Sequence, residues 1–146
     1  HLYCASDRGV VVIDTKLGRV TSTIRNIGHQ PVDLISDGEQ YLYIINNSSS
    51  NISIVNTVTQ TVVKTLSVGL RPVRATISKS GLLYVVNQGH RALSIISRVG
   101  QGWQVIEETI PINSDSYGVA VLPDDSKVYL VRSRSAVVDV VGFSGF

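Results

Sequence analysis

A unit of about forty residues recurs along the chain, and its short strand-like step limits the fold more than any other feature. In each copy an aliphatic residue precedes a tyrosine, and two small or aliphatic residues follow it. The tyrosines are Tyr3, Tyr43, Tyr84 and Tyr129, spaced 40, 41 and 45 residues apart. A period just above forty residues, filled by several short strands, is typical of a β-propeller, in which each repeat supplies one antiparallel sheet.

The other parts of the repeat keep the same phase. A second apolar run follows each tyrosine at a nearly fixed offset, at 11–15, 53–57, 94–98 and 137–142. Two further strand-like units lie between these runs and the next tyrosine, separated by Gly, Asp, Ser and Pro turn residues. We therefore predict that the four tyrosines occupy equivalent strand positions, and that Ile13, Val55, Ile96 and Val141 are equivalent on the next strand.

Composition agrees with an all-β fold. Val and Ile together number 37, whereas Leu, Ala and Met together number 16. β-branched side chains fit a pleated sheet better than a helix. Apolar residues make up 43% and charged residues 16% of the chain, which excludes intrinsic disorder. No apolar run approaches the roughly 20 residues of a membrane-spanning helix, so no membrane span is predicted.

Counting the strands predicts an incomplete propeller. If the strands of each blade are labelled A to D, the chain reads BCD, ABCD, ABCD, ABC, or about three and a half four-stranded blades. We expect one partial domain, 1–146, with repeats at approximately 2–40, 41–81, 82–126 and 127–146. The absence of methionine and the strand-like start at His1 favour an internal fragment of a longer protein. The remaining blades of that protein, which this chain lacks, would then be its partners. A four-bladed closure that lacks two strands is the alternative.

Several segments resemble the YVTN-type β-propeller repeat. They are Ile-Ser-Ile-Val-Asn-Thr at 52–57, the run 60–69, Leu-Tyr-Val-Val-Asn at 83–87 and the run 118–125. The resemblance implies a ring that is commonly seven-bladed and a protein outside the cytoplasm: secreted, periplasmic or in a surface layer. The chain departs from the pattern at Ser97-Arg98, where Asp-Thr is usual. It departs again at 113–117, which replaces the Gly-x-x-Pro of 28–31 and 69–72.

One face of such a propeller collects the polar residues of this chain. The B-to-C and D-to-A loops share that face, and loops held by a rigid scaffold often bind ligands. The candidate ligand-binding residues on these loops are Asp7, Arg8, His29, Arg71, His90, Arg91, Asp115 and Arg134. Arginine presents a planar fork that fits carboxylate or phosphate, so a small anionic ligand is one interpretation. Ordinary polar loops without a ligand are the other.

The sequence does not predict a metal or cofactor site. His29 and His90 lie in loops of different repeats, and no HxH or HxxxH spacing occurs. Cys4, the single cysteine, cannot form an internal disulfide and is expected to be a small buried apolar residue.

Three classes of function stay open at this point. The favoured one is a non-enzymatic scaffold that binds a protein or a small anionic ligand through its loop face. The second is part of an enzyme, lactonase-like or a cofactor-carrying oxidoreductase subunit, whose catalytic residues lie partly outside this chain. The third is binding of DNA or another anionic polymer, since 41–106 contains six basic and no acidic residues. Because no Lys/Arg run occurs, nucleic acid is disfavoured.

Overall fold

The chain forms four antiparallel sheets in the computed structural model, which describes residues 1–143 except the side chains of Glu108 and Thr109. The first sheet contains β1 (Leu2–Ser6), β2 (Gly9–Asp14) and β3 (Arg19–Ile24). The second contains β4 (Pro31–Ser36), β5 (Tyr41–Asn46), β6 (Asn51–Asn56) and β7 (Thr61–Ser67). The third contains β8 (Pro72–Ile77), β9 (Leu83–Asn87), β10 (Ala92–Val99) and β11 (Gly102–Pro111). The fourth contains β12 (Ser116–Val121), β13 (Lys127–Arg132) and β14 (Val138–Gly142).

Within each sheet the strands follow chain order, and each pairs with the next through a short turn. The predicted equivalence of the tyrosines is confirmed by the register. Tyr3, Tyr43, Tyr84 and Tyr129 lie opposite Val12, Ile54, Ile95 and Val140, respectively. Ile13, Val55, Ile96 and Val141 lie opposite the residue that precedes each tyrosine. The described residues contain no helix, as the β-branched composition predicts.

The sheets are offset from the repeats read in the sequence. The last strand of each of the first three repeats, β4, β8 or β12, pairs with the first strand of the following repeat. These three strands also lie next to one another, because β4 packs beside β8 and β8 beside β12. The end of the fourth predicted repeat, 144–146, lies outside the described residues.

The hydrophobic core consists of three layers, each between two consecutive sheets. The layer between the first and second sheets contains Val10, Val12, Leu42, Ile44 and Val55. The layer between the second and third contains Tyr43, Ile45, Ile54, Leu83 and Val85, and the layer between the third and fourth contains Tyr84, Val86, Ile95, Val128 and Leu130. Every residue of β5 and β9 is buried, since both faces of these strands are covered.

The outward faces of the first and fourth sheets have no sheet against them in the described part of the chain. Leu2 is 52% exposed and Val140 is 53% exposed, whereas Leu83 and Ile95, their counterparts in the third sheet, are 1% and 0% exposed. The expectation that Cys4 is buried is wrong for the same reason, because its side chain lies on the outward face of the first sheet and is exposed.

An aromatic cluster closes the outer end of the layer between the second and third sheets. The Trp103 ring meets the Tyr41 ring edge-on, with centroids 4.9 Å apart and an interplanar angle of 81°. Trp103 Nε1 donates a hydrogen bond to the Tyr43 hydroxyl at 3.3 Å. The Arg98 guanidinium lies 4.7 Å from the Tyr41 ring centroid. Trp103 is therefore a packing residue between sheets.

Gly69, in the β7–β8 loop, offers a test of how tightly this loop packs on the third sheet. A Cβ atom at Gly69 would lie 2.8 Å from Cβ and Cγ of Asn87, which is buried. We expect Gly69→Ala to lower the free energy of unfolding by roughly 1–3 kcal/mol, since Asn87 has no room to move. Urea denaturation measures the change. Gly142→Ala is the control, because no described residue lies within 4 Å of its added Cβ. Equal effects of both changes would contradict the packing described.

Candidate anion-binding site on the loop face

Seven loops lie at one end of the sheets, here called the loop face: the β1–β2 loop and three pairs, β3–β4 with β5–β6, β7–β8 with β9–β10, and β11–β12 with β13–β14. Backbone hydrogen bonds join the loop that enters a sheet to the loop between its second and third strands. Asn47 N donates to Gln30 O at 2.9 Å, Gln88 N to Arg71 O at 3.1 Å, and Ser133 N to Asp115 O at 2.8 Å. The predicted sharing of one face by these two kinds of loop is therefore seen in the structure.

Side-chain amides link the loop pairs of the second and third sheets to the sheet that follows. Asn47 Nδ2 donates to Pro72 O at 2.8 Å. Gln88, at the equivalent place in the third sheet, donates from Nε2 to Ser116 O at 2.9 Å. These two bonds hold the loops of the second, third and fourth sheets in register with one another.

A buried asparagine–serine hydrogen bond, here called the polar node, supports the loops of the second sheet, and an equivalent one supports those of the third. Asn46 Nδ2 donates to Ser53 Oγ at 3.0 Å, and Asn87 Nδ2 donates to Ser94 Oγ at 2.7 Å. Both asparagines are 0% exposed. Gly28 N also donates to Ser53 Oγ, at 3.1 Å, so the entering loop is fastened to the same node.

The fourth sheet builds the same node from charged residues. Arg132 replaces the asparagine and Asp139 replaces the serine, as the strand registers show. Arg132 Nε and Nη2 donate to the two Asp139 oxygens at 2.8 and 2.5 Å. Asn113, in place of the glycine, donates from Nδ2 to Asp139 Oδ2 at 2.9 Å. The departure at 113–117 noted in the sequence is therefore matched by changes at two contacting positions.

The loop face contains an open pocket of about 430 Å³ between the loop pairs of the third and fourth sheets. Four of the eight sequence-predicted residues line it: Arg71, Arg91, Asp115 and Arg134. Its remaining lining residues are Gln88, Gly89, Ser114 and Ser133. This volume lies within the range of about 300–1,000 Å³ usual for small-molecule sites.

Three arginines line this pocket. Arg71, Arg91 and Arg134 are exposed, and none of them makes an ion pair with another described residue. Asp115 is the carboxylate among the described lining residues, so the lining carries a net charge of +2. Guanidinium groups that are not already occupied are free to receive an anion.

The second sheet shows that the loops do not need arginine to fold. Gln30 and Arg71 occupy equivalent turn positions and have φ 53° each. Ser50 and Arg91 are likewise equivalent, with φ 50° and 51°. Because glutamine and serine support the same left-handed turns, the positive charge at Arg71 and Arg91 is not explained by backbone geometry.

The other four predicted residues do not line this pocket. Asp7 and Arg8 lie exposed in the β1–β2 loop, on the first sheet. His29 is exposed, and its backbone N donates to Ser49 Oγ at 2.9 Å. His90 is exposed beside Arg91 but is not part of the pocket wall. The described residues contain no group of three or more His, Cys, Asp or Glu side chains that could hold a metal ion.

The basic residues of 41–106 do not form a continuous strip. Arg74 pairs with Asp33 at 3.4 Å and lies over the Tyr117 ring, where the inner strands meet. Arg98 lies over Tyr41 near the opposite end of the sheets. These contacts divide the positive charge between separate places, which gives little support to a track for a nucleic-acid backbone.

A second pocket, of about 300 Å³, lies at the opposite end, between the β4–β5 and β8–β9 loops. Its walls carry both signs of charge, with Asp37 and Glu39 facing Lys79 and Arg98. Three backbone N–H groups already donate to Asp37 Oδ1, which fixes that carboxylate as a turn residue. Burial raises the pKa of the nearby Tyr43 hydroxyl, so it stays protonated.

Comparison with known proteins identifies the fold of the chain. Neither a scan of protein families nor a search of curated proteins found a match. Among solved structures, Kuenenia stuttgartiensis hydrazine synthase matches with a TM-score of 0.76 and 21% identity over 92% of this chain and 40% of that chain. A candidate 6-phosphogluconolactonase from Bacteroides uniformis ATCC 8492 matches with a TM-score of 0.71 and 14% identity over 93% and 46%. Dihydro-heme d1 dehydrogenase NirN, solved in complex with DHE, matches with a TM-score of 0.71 and 15% identity over 97% and 32%.

These likenesses show a propeller-like all-β fold and, at such identities, nothing finer. The chain spans less than half the length of each of these three structures. Among its described residues there is no helix that is long and apolar enough to cross a membrane.

The Arg132–Asp139 pair gives a pH-dependent test of the loop support. Hydrogen bonds from Arg132 lower the pKa of Asp139 below its ordinary value. Because the pKa of Asp139 is lower in the folded than in the unfolded protein, its ionisation stabilises the fold at pH values above the ordinary carboxyl pKa. This stabilisation is lost as the pH falls through the lowered pKa. Asp139→Ser, which introduces the residue found at Ser53 and Ser94, should therefore destabilise at pH 7 and have a smaller effect below about pH 4.

Urea denaturation of both proteins at pH 7 and pH 3 measures this difference. A destabilisation by Asp139→Ser that is equal at the two pH values would show that the charge of Asp139 plays no part.

Proposed function

We propose that this chain is part of a β-propeller binding scaffold whose loop-face pocket binds a small anionic ligand. One observation carries the proposal: Arg71, Arg91 and Arg134, without ion-pair partners among the described residues, converge on one pocket of about 430 Å³. Like charges that share a pocket repel one another unless an anion binds between them, so such a cluster favours anion binding.

The second sheet supports a functional rather than a structural reason for the arginines. Its loops have left-handed residues at the same two positions and share three equivalent backbone hydrogen bonds with the third sheet, yet carry Gln30 and Ser50 where the third sheet has Arg71 and Arg91. Ser48 stands where the fourth sheet has Arg134. The same loop arrangement therefore occurs with neutral side chains at these positions in the second sheet and with arginines in the third and fourth sheets.

A larger ring is proposed from the propeller-like fold. The four sheets act as blades, and the exposed faces of the first and fourth sheets receive further blades. The partial coverage of the matched structures, 32% to 46%, supports this. A seven-bladed ring and a location outside the cytoplasm, both implied by the YVTN resemblance, stay predictions.

Part of an enzyme is the second candidate, because the three matched structures include a dehydrogenase, a synthase and a candidate lactonase. Among the described lining residues Asp115 is the only carboxylic acid, and no histidine is present. Acid–base catalysis usually needs a histidine or a second carboxylate within reach of the substrate. The described pocket therefore supports binding better than catalysis.

Substitutions taken from the second sheet test the binding function. Arg71→Gln and Arg91→Ser each introduce the residue that occupies the same turn in the second sheet. We expect each to weaken binding of inorganic phosphate or citrate at least about tenfold, because a charge-assisted hydrogen bond is lost. Isothermal titration calorimetry at low salt measures the affinity, and added NaCl should weaken it.

Arg8→Gln is the matched control, since Arg8 is also a loop-face arginine but lies outside the pocket. The free energy of unfolding should change by less than about 0.5 kcal/mol in all three variants. Equal affinity in the wild-type and pocket variants, or equal loss in Arg8→Gln, would show that the pocket is not the anion site.

A further inference from the structure

The pocket walls differ in charge, and the difference points to the kind of anion. Arg71 and Arg91, both on the third-sheet side, form a wall with two guanidinium groups. Ser114, Asp115, Ser133 and Arg134 form the fourth-sheet side. A ligand that spans the pocket therefore meets two cations on one side, and a carboxylate, two hydroxyls and one cation on the other.

Asp115 limits what the ligand presents to the fourth-sheet side. The backbone oxygen of Asp115 accepts bonds from Ser133 N and Oγ, at 2.8 and 3.2 Å, which fixes the loop. Its carboxylate makes no ion pair or side-chain hydrogen bond within the described part of the chain. A carboxylate is an acceptor, so it repels the charged end of an anion and attracts a hydrogen-bond donor.

Hydroxyl groups satisfy this requirement better than an ammonium group. An ammonium next to Asp115 would also stand among three guanidinium groups, which repel it. A hydroxyl donates to the carboxylate without that repulsion and accepts from Ser114 as well.

The paired arginines and the pocket size favour a phosphate group on a larger molecule. Two forked guanidinium groups on one wall offer at least four N–H donors, which would occupy all of the roughly four lone-pair sites of a single carboxylate, whereas a phosphate monoester accepts them on three terminal oxygens. A volume of about 430 Å³ is far larger than a free phosphate ion needs. We infer that the ligand is a phosphate monoester of a polyhydroxylated compound, such as a sugar phosphate, with its phosphate on Arg71 and Arg91 and a hydroxyl on Asp115.

This inference rests on the proposed anion-binding function, and the probes separate the two. The affinity for inorganic phosphate, measured by calorimetry, depends on the arginines alone. The affinity for glucose 6-phosphate depends also on the contacts of the sugar hydroxyl groups. We expect wild-type protein to bind glucose 6-phosphate about tenfold more tightly than inorganic phosphate, as expected for a hydrogen bond to a charged group.

Asp115→Asn should remove most of that preference without weakening the binding of inorganic phosphate. The change keeps the size of the side chain, and the second sheet has an amide, Gln30, at the equivalent loop position. Asp7→Asn is the matched control, because Asp7 is a loop-face aspartate outside the pocket and should leave the preference unchanged. Thermal melting checks that both variants fold.

Three outcomes would overturn the inference while leaving the anion site in place. They are equal wild-type affinities for the two probes, a preference that survives Asp115→Asn, or phosphoserine binding more tightly than glucose 6-phosphate. The last would show that an ammonium group faces Asp115. If instead inorganic phosphate binds equally to wild-type protein and to Arg71→Gln, the proposed function itself fails.

Discussion

Burial of both faces of the middle strands holds this structure together. β5 and β9 have no exposed residue, because a neighbouring sheet covers each side of the sheet that contains them. A single sheet of such a repeat cannot cover its own apolar faces, so stacking against a neighbouring sheet is what buries them. Each sheet therefore depends on the next one, as in other repeat proteins. This stacking of sheets also fixes the positions of the loops at the ends of the strands.

That dependence explains how a pocket forms between sheets instead of within one. Gln88 ties the third sheet to the first strand of the fourth through Ser116 O, so the two loop pairs cannot move apart independently. Arg71 and Asp115 occupy equivalent loop positions of successive sheets and face one pocket for this reason. The loop side chains differ between sheets, and the change from Gln30 to Arg71 to Asp115 shows how equivalent loop positions serve different chemistry.

The fourth sheet shows a coordinated change in the same scaffold. An arginine, an aspartate and an asparagine take the places of an asparagine, a serine and a glycine, and they satisfy one another through three hydrogen bonds. A single one of these changes would leave a charged group without a partner. The unusual segment 113–117 is thus one part of a set of contacts, and the other parts lie on β13 and β14.

The sequence by itself determined the repeat, the all-β class and the equivalence of the tyrosine positions, because the period of about forty residues and the β-branched composition can be read directly along the chain. It also placed Arg71, Arg91, Asp115 and Arg134 on one face. It did not separate them from Asp7, Arg8, His29 and His90, since a loop face is shared by all sheets whereas a pocket belongs to two. Exposure of Cys4 and the pairing of Arg132 with Asp139 were likewise decided only by tertiary structure. Both depend on which sheet lies against which, and the physical reason is that covering a face or pairing a charge requires residues distant in sequence.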